Sequence, residues 1–203
     1  MHGQGFAASR WLLASTVGLA VGIPAGLALG APLEVIVGAM IVTPLMLALC
    51  GLFLGTSQWI ALRGVLPQPT RWVPLTIVGF AAGLTIAVVA VETGGALLTG
   101  SPVRIATADT LGLLASVLVV GGFGGALLGV TQALALRHCP GALAKWAKAS
   151  AVGLASGFGT GALMASALGG MMSGVGVVVF LVVSGLIYAA ITGRTLRTMV
   201  LSM

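Results

Sequence analysis

Long apolar stretches alternate with short polar breaks along the whole chain. Hydrophobic runs occupy about 11–30, 34–61, 72–97, 110–136, 145–168 and 174–196. Each is long enough to cross a hydrocarbon core of about 30 Å as a helix, which takes ~20 residues at 1.5 Å rise. The pattern predicts an all-α membrane protein of six transmembrane helices, with residues 1–203 forming one membrane domain. Residues 10–30 also resemble a signal peptide, because Arg10 precedes an apolar run and Ala28-Leu29-Gly30 is cleavage-like. The run is long for that role, and an internal repeat claims it as the first span.

The odd spans open alike. RWLLASTVGLAVG (10–22), RWVPLTIVGFAAG (71–83) and KWAKASAVGLASG (145–157) each read basic-Trp-x5-Val-Gly-x-Ala-x-Gly. The even spans close alike. GTSQWIALR (55–63), GVTQALALR (129–137) and AAITGRTLR (189–197) share their spacing, with Thr192 in place of Gln58 and Gln132. Extended backwards, they add Gly51, Gly125 and Gly185. Ungapped matches of this length indicate duplication. The expected architecture is three helical hairpins, 10–63, 71–137 and 145–197, in one orientation about a pseudo-threefold axis along the membrane normal.

The shared small residues are expected to pack helices. Gly51, Gly55, Gln58 and Leu62 follow i, i+4, i+7, i+11 and so share a helical face. Gly18, Gly22, Gly79, Gly83, Gly153 and Gly157 on the odd spans match Gly51, Gly55, Gly125, Gly129, Gly185 and Ala189 on the even ones. Small residues let backbones approach where lipid supplies no hydrophobic drive between helices. Gln58, Gln132 and Thr192 lie on the same faces, about 7–8 Å inside the terminal Arg. Two roles suit them: hydrogen bonds that fix the packing, or a polar ring narrowing a central path.

With these motifs the chain resembles a loose set of uncharacterised small bacterial polytopic membrane proteins. They carry Gly-x-x-x-Gly-x-x-Gln-Trp-x-x-Leu-Arg at the ends of spans and a basic-Trp start with Gly-x-x-x-Gly on the next. The resemblance covers most of the chain, and Trp59 is kept only in the first copy. It implies the fold and confers no activity.

Charge orients this picture. Of 203 residues, only 6% are charged and 59% are hydrophobic, and the net charge is +6. Arg10, Arg63, Arg71, Arg137, Lys145, Lys148, Arg194 and Arg197 all fall at one end of the spans. Glu34, Glu92, Asp109 and Arg104 fall toward the other. Short Lys/Arg-rich loops stay cytoplasmic. The expected location is therefore multi-pass in a bacterial inner membrane, with both termini cytoplasmic. The basic balance records topology and some attraction for anionic lipid, and nucleic acid is excluded as a partner. Trp11, Trp72 and Trp146, with Arg63, Arg137 and Arg197, are expected to anchor the cytoplasmic boundary, the indoles keeping their N–H groups wet.

Candidate chemistry is sparse. His2 and His138 are the only histidines, and His138-Cys139 is two ligands short of a usual metal site. Cys50 and Cys139 lie too far apart along the hairpins for a disulfide. Glu34 and Asp109 are expected to cap spans two and four at their positive ends, and Glu92 to sit at the far interface within reach of Arg104. Pro44 and Gly121–Gly125 are the places where helices would break to build a transport site. Without a nucleophile–base pair, paired carboxylates or a phosphate loop, no enzyme is expected, and no cofactor is identified. Two functions remain. One is a structural or assembly subunit of a larger membrane complex, for instance a bioenergetic or photosynthetic one, with lipids and other subunits as partners. The other is a small channel or transporter with a polar ring at its cytoplasmic end.

Overall fold

The computed structural model describes residues 7–99, 110–168, 170 and 173–201. Six long helices occur among them: α1 (Ala8–Val37), α2 (Ala39–Leu62), α3 (Trp72–Thr99), α4 (Thr110–Ala133), α5 (Ala142–Ala167) and α6 (Gly174–Val200). Short 3-10 turns, Pro69–Arg71 and Leu134–Leu136, precede α3 and follow α4. Five of the six are long and apolar enough to cross a membrane, as in a multi-pass membrane protein. The exception is α5, which stands where a span is expected but is less apolar. Its start carries Lys145 and Lys148, and Ser150, Ser156 and Thr160 follow along its length. It packs between α4 and α6 and buries twelve of its residues. A helix with that many residues covered meets less lipid and tolerates more polar and small side chains.

Neighbouring helices in the chain pack on one another, and α6 returns against α1 to close a ring. The odd-helix glycines face their own hairpin partner. A Cβ on Gly22 would stand 3.0 Å from the Cys50 carbonyl, on Gly83 2.9 Å from that of Gly124, and on Gly157 2.7 Å from that of Ser184. Their companions Gly18, Gly79 and Gly153 lie against Leu54, Leu128 and Tyr188. The even-helix glycines face the next hairpin: Gly51 and Gly55 against α3, Gly125 and Gly129 against α5, Gly185 against Thr16 of α1. Ala189 is buried in the same row. Helix contacts this tight leave no volume for a side chain.

The first turn differs from expectation. Helix α1 runs through Pro24 and Pro32 to Val37, and the chain reverses at Gly38, whose φ of +82° suits glycine. Glu34 is therefore in the last turn of α1 and does not cap α2; its carbonyl accepts the Gly38 N–H at 2.9 Å. Each proline removes one helical N–H, yet stopping at Pro32 would strip four carbonyls of partners in an apolar setting. Continuing the helix to a glycine is the lesser cost. Pro44 and Gly121–Gly125 likewise leave α2 and α4 unbroken. Glu92 is exposed near the end of α3. His2, Arg104 and Asp109 lie outside the described residues.

Candidate functional site: a layer of indoles and amides

The best-defined polar feature lies inside the ring, near the end that carries the exposed bases. Trp11, Trp72 and Trp146, each second in its repeat opening, are fully buried and turned toward one another. Their rings meet edge to face, with centroids 5.9, 5.9 and 5.5 Å apart. This arrangement aligns positive ring edges with negative faces, and such pairs add about 0.5–1.5 kcal/mol beyond burial.

Each indole N–H is spent on the preceding even helix. Trp72 donates to Gln58 Oε1 at 2.8 Å, Trp146 to Gln132 Oε1 at 3.0 Å, and Trp11 to Thr192 Oγ1 at 3.1 Å. The amide nitrogens turn the other way. Gln58 donates to Ser15 Oγ at 3.0 Å and Gln132 to Thr76 Oγ1 at 2.9 Å. Gln132 also reaches Gln58 Oε1 at 3.3 Å, linking two sectors. The candidate residues Gln58, Gln132 and Thr192 are thus one layer, with no exposed surface.

The expectation of an aromatic belt is overturned here. Trp11, Trp72 and Trp146 lie near the basic end of the helices but point inward, and protein acceptors take up their N–H groups. A buried acceptor on the adjacent helix removes the reason for an indole to stay at a wet interface. Trp59 alone is only half-buried, with the Arg63 guanidinium 3.6 Å above its ring and its own Nε1 covered without a hydrogen-bond partner. Arg63, Arg137 and Arg197 are exposed at the same end. Trp59 should therefore carry nearly all emission that acrylamide can quench. Trp59→Phe should leave a blue-shifted, quench-resistant spectrum; unchanged quenching would contradict the inward placement of the other three.

Ser15, Thr76 and Ser150 complete the layer and escape the motif reading. Their signal is present, since each falls four residues after its tryptophan: WLLAS, WVPLT and WAKAS. The third sector departs from the other two for a visible reason. Thr192 is too short to reach Ser150, and its hydroxyl donates to the Tyr188 carbonyl at 2.7 Å instead. Ser150 Oγ is left without a hydrogen-bond partner. Tyr188 stands where Leu54 and Leu128 stand in the other copies, four residues before the polar position. Its ring is fully buried. Its hydroxyl faces Gln58, Ser150 and Gln132 but meets none at hydrogen-bonding geometry.

Below the indoles, Leu62, Leu136 and Leu196 are buried against them, with Cys139 from the 137–141 loop. Burial pushes the Cys139 thiol above its usual value, so little thiolate is present at neutral pH for ligation or attack. The adjacent His138 is exposed, and no group of three metal-ligating side chains occurs among the described residues.

Compared with protein-family models, curated proteins and solved structures, the chain matches none of them.

Proposed function

We propose that this protein is a non-catalytic integral membrane subunit that supports the assembly of a larger membrane complex. The observation carrying this reading is the use made of the polar groups. Gln58 and Gln132 have both ends of their amides engaged by Trp72, Trp146, Ser15 and Thr76, and three interlocked indoles fill the axis beside them. Such groups hold helices together and offer no lining for a water-filled path. The recurrence of the Trp-to-polar bond at each hairpin junction supports three parallel hairpins around a pseudo-threefold axis.

The membrane is taken to be a bacterial inner membrane. The exposed bases at the ends of α1, α2, α4, α5 and α6 favour cytoplasmic termini. A single cysteine introduced at Pro67 is then expected to resist impermeant maleimide in intact cells and react after lysis. Labelling in intact cells would invert the topology.

Native purification in mild detergent tests the function. The expected result is co-purification of stoichiometric membrane-protein partners, and no solute flux when the isolated chain is placed in liposomes. Flux by the isolated chain, with no partner retained, would instead favour the channel reading with Gln58, Gln132 and Thr192 as its polar ring.

A further inference from the structure

Above the polar layer the ring encloses an apolar chamber of about 300 Å³ to which all six helices contribute. Ile23, Cys50, Phe80, Val120, Phe158 and Phe180 supply one wall residue from each. Among the described residues, the only polar side chains at its surface are Thr43 and Cys50, and the Cys50 thiol donates to the Gly22 carbonyl at 3.2 Å. On the basic side its last lining residue on α3 is Phe80, and Leu54, Leu128 and Tyr188, fully buried, belong to the same apolar cluster. Beyond those stand the amides and the three indoles. The chamber is therefore blind at that end.

A space of this size in such walls has few natural contents. Apolar holes of ~150 Å³ stay dry and take up hydrocarbon, because water there would forfeit its hydrogen bonds. This one is about twice that size. From Phe80 to Val88 along α3 it runs about 12 Å, close to one leaflet's half of a ~30 Å core. Its mouth meets the outside of the bundle at Leu27, which lines the chamber and is itself 50% exposed.

We propose that the chamber holds one acyl chain of a phospholipid, drawn from the leaflet opposite the basic end. The apolar lining and the ~12 Å run along α3 argue for a hydrocarbon chain, and lipid is the solvent at the mouth. The chain fills a void that would otherwise leave Phe80, Leu84, Phe158 and Phe180 without contacts on one side. The lipid headgroup stays outside, since nothing polar waits within to receive it.

The test uses the full chain in nanodiscs of dioleoyl phosphatidylglycerol doped with a long-chain isoprenoid quinone. After extraction into detergent and extensive washing, native mass spectrometry counts the molecules retained. Wild type should keep one phospholipid. Val120→Phe, which fills the chamber, should lower retention about tenfold while its thermal unfolding stays at or above that of wild type. Val117→Met, a smaller filling change in the same wall, is the second variant should Val120→Phe not fold. Equal retention by wild type and a folded, filled variant would place the lipid on the outer surface and overturn the proposal. Retention of nothing would overturn it too. Retention of the quinone in place of phospholipid would overturn the lipid as the source of the chain.

Discussion

Gly125→Leu should unfold the bundle far below the wild-type transition in detergent, whereas Gly94→Leu should leave it unchanged. A Cβ on Gly125 would stand 2.6 Å from the Ser150 carbonyl oxygen and 3.0 Å from the Ala151 Cα. Both are backbone atoms of α5, so no rotamer change makes room and the two helices must separate. Overpacking a tight site costs about 1–3 kcal/mol, and a leucine against fixed backbone falls at the upper end. For a chain of this size that lowers Tm by roughly 6–12 °C, taking about 2–4 °C per kcal/mol. At Gly94 nothing lies within 4 Å of the new Cβ, and leaving glycine recovers up to ~1 kcal/mol of helix propensity. Gly55→Leu and Gly79→Leu belong between the two: their nearest backbone atoms, Val73 Cα and Leu128 Cα, stand at 3.2 and 3.0 Å. Equal thermal losses at all four positions would sink the packing role of the repeated glycines.

The double change Gln58→Met with Gln132→Met should cost several kcal/mol of stability and leave solute permeability where it was. Methionine fills a similar volume without amide hydrogen bonds. Five bonds go with the two amides: Trp72 to Gln58, Trp146 to Gln132, Gln58 to Ser15, Gln132 to Thr76 and Gln132 to Gln58. At an average of ~0.6 kcal/mol for such bonds between membrane helices, the sum is about 3 kcal/mol. Two indole N–H groups are also stranded in a dry interior, which raises the cost. Thr192→Val removes one bond between helices, that from Trp11, along with its bond to the Tyr188 carbonyl of its own helix, so it should cost about 0.6–1.7 kcal/mol for the bond between helices. Thermal unfolding in detergent and a liposome flux assay read the two quantities separately. If both variants stayed folded and abolished a wild-type flux, the amides would be lining a path, and the channel reading would replace the subunit.

The helices were legible because membrane helices need long apolar runs and those runs are present in the chain. The small-residue faces were legible too: Gly51, Gly55 and Gln58 share a face by spacing alone, and glycine serves little purpose on a lipid-facing surface. The turn at Gly38 was not, because Pro32 is a stop signal in water and a tolerated interruption in a helix surrounded by hydrocarbon.

What the sequence left undecided was direction. In a soluble helix the polar face marks the outside, but here both lipid and core are apolar, so hydrophobicity cannot tell inward from outward. A tryptophan beside an arginine therefore reads equally well as an interface anchor or as a core residue. Only closure of the ring, with α6 against α1, brings Gln58, Gln132 and Thr192 to the indole N–H groups and turns Trp11, Trp72 and Trp146 inward. The same closure makes the chamber, a space between six helices that no single helix encodes. Ser15, Thr76 and Ser150 were written in the repeat at a fixed step from each tryptophan, but a hydroxyl in a membrane helix ordinarily bonds its own backbone. Tertiary structure gave Ser15 and Thr76 their amide partners across helices, Thr76 while also donating to the Trp72 carbonyl of its own helix, and it left Ser150 without one because Thr192 is shorter than glutamine.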